Sequence, residues 1–327
     1  MRQGSRDDMD VLSLVHQLNQ RYRAEFDRAE HLQEQLQAIQ GSRLWPWFTR
    51  FQKLAGWCRS RLSSSRIKPE RTPSHDLSDG NWSTPFIPQS VHKLTANDVS
   101  IIIPFRDQLD LLQRCVLPLH RTVPEAELVL VDNGSAEAST KSFLHRCRIH
   151  KQATVVHLDE PFNFSRLCNA GAAVVHREML LFLNNDVLAT QPAWLDSMLE
   201  LAGDPRVGIV GATLLYPDRT LQHVGLAPLG PAQTWIHPYR GEPETYLGKQ
   251  HELRHIRSVP AVTGACLLVR RALFESLGGF DPRYSTIFND VDLCQRAKAQ
   301  GWEIVVTPFA RLWHFESLSR GYTREAA

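Results

Sequence analysis

The chain has 327 residues, 43% of them hydrophobic, and a formal net charge of +2. That length suits one large domain with an appendage or two modest domains, and the apolar share is enough for a sizeable core. The near-neutral balance gives no electrostatic case for nucleic acid as a partner.

Six cysteines (Cys58, Cys115, Cys147, Cys168, Cys266, Cys294) are scattered without a CxxC pair. Most sit in apolar, periodic surroundings, which predicts reduced core thiols in a cytoplasmic protein rather than a disulfide frame. The opening MRQGSRDDMD has no apolar signal core. No run reaches the ~18 apolar residues of a spanning helix.

Across residues 9–40, Val11, Val15, Leu18, Tyr22, Phe26, Ala29, Leu32, Leu36 and Ile39 recur at steps of three and four. This heptad seam predicts a helix. Two uses fit it: a short coiled coil or helical hairpin that makes an oligomer contact, or a helix laid along the protein's own main domain. Residues 42–62 read SRLWPWFTRFQKLAGWCRSRL, with Trp47, Phe48, Phe51, Leu54, Cys58 and Leu62 on one helical face. Arg50, Lys53, Arg59 and Arg61 flank that face. Aromatics beside basic side chains suit a helix lying in a lipid headgroup layer, which would put the protein at the inner face of the cell membrane; a helix docked on the core with solvated charges fits the same pattern. Residues 63–97 are rich in Ser, Pro and charge and read as a flexible linker.

The texture changes over residues 98–327. VSIIIPF (Val99–Phe105), ELVLVDN (Glu127–Asn133), ATVVHLD (Ala153–Asp159) and MLLFLNND (Met179–Asp186) each read as a buried strand with a polar end. Helical patterns lie between them, such as Leu167, Ala170, Gly171, Val174 and Val175. The alternation predicts an α/β fold: a mostly parallel sheet with helices on both faces. Ligands bind such sheets outside the carboxyl ends of the strands. The polar tips stand there: Phe105-Arg106-Asp107, Asp132-Asn133-Gly134-Ser135 and Asn184-Asn185-Asp186.

Each tip also has a structural use. DNGS is a turn with Gly134 free to adopt a left-handed conformation. Asp186 fits a capping role poorly, because the next helix begins near Pro192; a carboxylate at a strand end does suit a hard divalent cation whose other ligands are phosphates. No GxGxxG or GxxxxGK loop follows a strand, which disfavours a dinucleotide fold and a P-loop. In FNDVDLCQRAKAQGW (Phe288–Trp302), Leu293, Cys294 and Ala297 form one helical face and place Asn289, Asp290 and Asp292 in the first turn. Asn289 as N-cap with acids favoured by the helix dipole explains them; so does a carboxylate presented as general base, with desolvation opposing the dipole's effect on its pKa. WHFESLSRG (Trp313–Gly321) gathers His314, Glu316 and Arg320 beyond the apolar strand Ile304–Val306, at one loop's remove. The segment Gln233–Ser258 carries Trp235, His237, Tyr239 and Tyr246 without periodicity and reads either as an acceptor-side loop or as a surface insertion.

VSIIIPF, LVLVDNGS, FNFSRLCNAGA, LLFLNNDV, VTGACLLVRR, GGFDPRYSTIFNDVDLC and HFESLSRG, in this order from Val99 to Gly321, resemble the bacterial family 2 glycosyltransferases of the GT-A fold. The likeness is to the non-processive members that build surface polysaccharides such as O-antigen. It implies an inverting enzyme that moves a sugar from a nucleotide-sugar donor to a saccharide or lipid-linked saccharide acceptor, with Mg²⁺ or Mn²⁺ as cofactor. It implies that Pro104 and Phe105 line the base pocket, Asp132 bonds the pyrimidine, and Asn169 and Asn185 lie beside the donor. Thr263 and Gly264 would border donor sugar and acceptor, and Arg320 would approach the phosphates. Asp186 and His314 would take the metal, and Asp290 would be the base.

Three departures from the family pattern stand out. Asn184-Asn185-Asp186 keeps one carboxylate of the metal motif, Asn289-Asp290 replaces a Glu-Asp pair, and Phe105-Arg106 replaces the commoner Thr-Tyr. No QxxRW motif of processive synthases is present. Two other classes compete: a non-catalytic assembly protein with a vestigial sugar-nucleotide domain, and a nucleotidyltransferase, which would normally show a glycine-rich basic loop after the first strand.

Overall fold

The computed structural model describes residues 82–229 and 234–315, all within the compact unit Leu77–Ala327. The expected helices at 9–40 and 42–62, residues 63–81 of the expected linker, and Arg320 lie outside the described residues.

Long apolar runs build the sheet. β2 (Val99–Phe105), β3 (Glu127–Asp132), β4 (Thr154–His157) and β5 (Met179–Leu183) pair in parallel in the order β5-β2-β3-β4. β7 (Val207–Leu215) and β13 (Glu303–His314) are parallel to each other, and β12 (Cys266–Arg270) lies antiparallel between β5 and β7. Six main strands therefore point one way (β4, β3, β2, β5, β7 and β13), and β12, inserted among them, opposes its neighbours β5 and β7. The sheet is mostly parallel, as its near-continuous Val/Ile/Leu strands require when both faces are covered.

Successive residues of one strand feed opposite layers. Ile101 and Ile103 pack with Leu112, Cys115 and Leu119 of α1 (Leu109–Thr122), Leu144 of α2 (Ala138–Ile149) and Trp194 of α4 (Trp194–Ala202). Ile102 packs with Leu167 of α3 (Phe164–Ala172), Phe274 of α5 (Arg271–Ser276) and Leu293 of α6 (Asn289–Ala299). The five described cysteines are free and buried, as their apolar surroundings predict.

Two expectations are corrected. Residues 82–97 do not hang free as a linker. β1 (Thr84–Pro85) pairs with β11 (Arg257–Ser258), Phe86 N–H donates to Ile256 O at 2.9 Å, and Leu94 is buried in the core. Arg257 holds this start in place: its guanidinium lies 4.9 Å over the Trp82 ring and donates to Ser83 Oγ. Composition hid this because the anchors are single residues spaced among Ser and Pro. The second concerns Ile304–Val306, which does not end before Trp313. β13 runs through to His314 with an irregularity between Thr307 and Arg311, and Pro308 within that break disguises its continuity.

Gly171 marks the closest approach of a helix to the sheet. A Cβ there would stand 2.5 Å from Ile102 Cγ2 and 2.8 Å from Val131 Cγ2. Both neighbours are core side chains with no room to yield. Gly171→Ala is expected to lower the unfolding free energy by about 1–3 kcal/mol, read from urea denaturation midpoints; a neutral result would show that α3 does not pack this tightly.

Candidate active site

The carboxyl ends of the parallel strands meet at one edge, and β12, because it is reversed, brings its amino-terminal loop to that same edge. Cys266 pairs with Leu183, so Thr263 and Gly264 stand beside the exit of β5. Beyond β5 the chain turns, with Val187 N–H donating to Asn184 O, and enters β6 (Val187–Leu188). β6 pairs with the end of β13, Val187 opposite His314, and Phe315 N–H donates to Asp186 O at 2.9 Å. This pairing brings together two residues 128 positions apart: His314 Nε2 lies 3.1 Å from Asp186 Oδ1, both side chains buried. The other ring nitrogen, Nδ1, is 2.8 Å from Gln222 Oε1 on β8 (Leu221–His223).

These two residues fit a hard divalent cation. A carbonyl oxygen at Nδ1 calls for a proton there, and with a cation between Nε2 and the carboxylate the Nε2 lone pair would be a ligand beside Asp186. Adjacent ligands of an octahedral ion with bonds of ~2.1 Å are separated by about 3 Å, and the observed separation is 3.1 Å. Among the described residues no cluster of three or more His, Cys, Asp or Glu side chains could hold a metal alone. A pair at this edge therefore suits an ion whose remaining ligands come from phosphates and water.

Asp290 faces the same cavity. A cleft of about 340 Å³ is lined by Asn184, Asp186 and His314 together with Thr263, Gly264 and Asp290, with Phe164, Gln222, Trp235 and His237 among its remaining walls. Asp290 lies in the first turn of α6, whose N-cap is Phe288 in the left-handed region (φ 65°) and not Asn289. Its Oδ2 accepts Gly264 N–H at 2.8 Å and its Oδ1 accepts Val291 N–H at 2.8 Å. Surrounding protein desolvates the carboxyl and pushes its pKa above the usual carboxylate range, against the lowering effect of those amides and of the Thr263 hydroxyl. Burial outweighs the hydrogen bonds. Beside it, Asn289 Nδ2 is buried with no hydrogen-bond partner.

The remaining expected site residues are distributed differently. Pro104 and Phe105 are buried at the end of β2 and do not line this cleft. Asp132 ends β3: its Oδ1 accepts Ser135 N–H, closing the DNGS turn with Gly134 at φ +68°, and its Oδ2 lies 2.9 Å from His157 Nδ1. Asn185 is buried in the β5–β6 turn, outside the cleft lining. Asn169 sits within α3, where both ends of its amide bond the backbone of Phe280: Nδ2 donates to the carbonyl at 2.8 Å and Oδ1 accepts the N–H at 2.9 Å. That clamp holds the turn containing Gly279, a contact the motif alone did not disclose. Of the aromatic segment, Trp235 on β10 (Thr234–Ile236) and His237 line the cleft. Tyr239 and Tyr246 pack against each other, with Tyr239 edge-on to Trp82. Sequence reasoning missed Gln222, His223 and Phe164. The available signal was a polar Gln-His pair inside the apolar stretch LQHVGL.

The chain belongs to the glycosyltransferase-like family 2, whose family model matches residues 96–325. It is 39% identical over 225 residues to the O-antigen biosynthesis protein RfbC of Myxococcus xanthus, covering 68% of this chain and 18% of that protein. It is 33% identical over 146 residues to an N-acetylglucosaminyl-diphospho-decaprenol L-rhamnosyltransferase of Mycobacterium tuberculosis, covering 40% of this chain and 45% of that one. An uncharacterized protein y4gI of Sinorhizobium fredii is 40% identical over 68% of this chain and 25% of its own length. The chain thus spans a quarter or less of two of these relatives. Its fold is shared with GT-A glycosyltransferase structures. GalNAc-T7 with UDP, GalNAc and Mn²⁺ has a TM-score of 0.56 at 17% identity, over 68% of this chain and 44% of that one. The mannosyltransferase PcManGT from Pyrobaculum calidifontis with GDP-Man and Mn²⁺ has a TM-score of 0.51 at 17% identity, over 70% and 59%.

The Phe280 clamp predicts that Asn169→Ala costs about 1–3 kcal/mol of stability, since two buried backbone groups lose their partners. Urea unfolding checks this. A variant as stable as the parent would return Asn169 to a purely ligand-facing role.

Proposed function

We propose that the protein is an inverting glycosyltransferase that moves a sugar from a nucleoside-diphosphate donor to a saccharide or lipid-linked saccharide in surface-polysaccharide synthesis. The observation that carries this reading is one cleft lined by both the Asp186–His314 pair and Asp290. The relatives' names support the polysaccharide setting, and the Mn²⁺ of the structural neighbours supports a divalent cofactor.

In this reading Asp186 and His314 hold Mg²⁺ or Mn²⁺. When bound, the ion stabilises the charge that builds on the departing diphosphate. Asp290 accepts the proton of the attacking acceptor hydroxyl. Its raised pKa makes it a better proton acceptor than an ordinary carboxylate, and the amides of Gly264 and Val291 hold its two oxygens in place. Attack from the face opposite the leaving group, in a single displacement, inverts the anomeric centre. Thr263 and Gly264 border the reacting sugar, and the Trp235–His237 wall faces the acceptor. Pro104, Phe105 and Asp132 serve the nucleotide base, and Asn185 and Arg320 the diphosphate side.

No helix among the described residues is long and apolar enough to cross a membrane. Contact with a lipid surface through residues 42–62 and self-association through 9–40 belong to the same proposal. The first brings the enzyme to a lipid-linked acceptor at the inner face of the cell membrane.

Screening UDP-, dTDP- and GDP-sugars for hydrolysis and transfer, with and without divalent metal, tests the reading. No turnover with any donor would overturn it. Asp290→Asn is expected to lower turnover about 10²- to 10⁴-fold with nucleotide affinity unchanged. The rate of the parent enzyme should fall on the acid side from above pH ~4, because the folded carboxyl holds its proton to higher pH than a free one. Full activity in the variant would remove Asp290 from the role of base. Asp186→Ala is expected to weaken donor binding only when metal is present; identical binding with and without Mn²⁺ in both proteins would argue against a cation at this residue.

A further inference from the structure

β8 is three residues long and wholly buried, yet two of them are polar and each touches a histidine of the cleft. Gln222 Oε1 lies 2.8 Å from His314 Nδ1. His223, on the opposite face of the same strand, is fully buried. Its Nε2 accepts Thr263 N–H at 3.3 Å, and its Nδ1 lies 3.1 Å from His237 Nδ1, with the two rings edge to face.

The proton positions follow by elimination. A carbonyl oxygen only accepts, so with Gln222 Oε1 at 2.8 Å His314 Nδ1 carries hydrogen; the Asp186 carboxylate also only accepts, so an Nε2 lone pair facing it requires a cation between the two. On the other side, His223 Nε2 is occupied as an acceptor, so its one proton is on Nδ1. That N–H donates to His237 Nδ1, which places the His237 proton on Nε2, the nitrogen away from His223. Burial, with His237, Arg257 and His314 nearby, pushes the His223 pKa well below its ordinary value and keeps the ring neutral, as this chain of bonds requires.

We propose that Gln222 and His223 are positioning residues that set the tautomers of the two cleft histidines. Gln222 turns the His314 Nε2 lone pair toward a divalent cation shared with Asp186. His223 places the His237 proton on Nε2 by bonding its Nδ1. His223 also bonds the amide of Thr263, one residue before the Gly264 amide that grips Asp290, so β8 braces both parts of the site. This inference rests on the cation and sugar-transfer reading above.

Two measurements test it. Long-range ¹H–¹⁵N correlation spectra of histidine-labelled protein with Mg²⁺ and UDP, dTDP or GDP report which nitrogen bears the proton, assigned with His237→Gln and His314→Gln. The expected pattern is Nδ1–H for His314 and Nε2–H for His237. The reverse tautomer at either ring in the parent protein overturns that half of the proposal, whether or not buried variants fold. Mn²⁺ affinity, read by the electron spin resonance signal of free Mn²⁺ with the same nucleotides, should fall about 10- to 100-fold in Gln222→Leu, the usual cost of losing an outer-shell partner. It should be largely restored in Gln222→Glu, which keeps an acceptor for Nδ1–H. Parent-like affinity in Gln222→Leu overturns the role of Gln222 alone, whereas a parent protein that binds no Mn²⁺ with any nucleotide overturns the cation reading itself.

Discussion

The hydrogen bond from Gly264 N–H to Asp290 Oδ2 is the contact on which the site's geometry depends. It ties the first turn of α6 to the loop that enters β12, and through β12 to the exit of β5. Together with the Val291 amide on Oδ1, it fixes the direction of a desolvated carboxylate at a helix start. With it, the acid is held in the wall of the cleft that the Asp186–His314 pair also lines. A Cβ at Gly264 would sit against Phe164 and Asp290 at ordinary contact distance.

The two parts of the site are held by different physics. At Asp290, desolvation raises a carboxyl's affinity for a proton while backbone amides keep it oriented. At the Asp186–His314 pair, a carboxylate and an imidazole are brought together by strand pairing, an arrangement that a cation between them would make favourable. A low-dielectric wall strengthens both effects. The buried Gln222 and His223 contribute no charge of their own, which is what a buried polar layer next to two charged groups requires.

The loss of acidic residues relative to the family pattern reads differently once the chain is folded. Asn184 and Asn185 remove carboxylates from the metal motif, but the partner of Asp186 comes from β13. Asn184 still lines the cleft, while its N–H bonds Ala265 O and ties the β5 exit to the β12 entry. Asn289, which stands where an acid is usual, leaves an amide nitrogen buried and unpaired. Such a cost is most readily tolerated at a functional site.

What the sequence determined by itself was the sheet, because each strand is an unbroken apolar run whose burial on both faces admits few other structures. The site at the strand ends followed, since Asp186 fits a capping role poorly, whereas Asp290 at a helix start was also explained by the helix dipole. Tertiary structure alone decided which of those residues meet. The reversed β12 carries Thr263–Gly264 to the edge where its neighbours end, the β6–β13 pairing sets His314 on Asp186, and β8 slips two polar side chains behind them. It also gave Asn169 a clamp on Phe280 and bound residues 82–97 to the domain. These are long-range contacts between single residues, and local periodicity carries no information about the partner a side chain finds more than a hundred positions away.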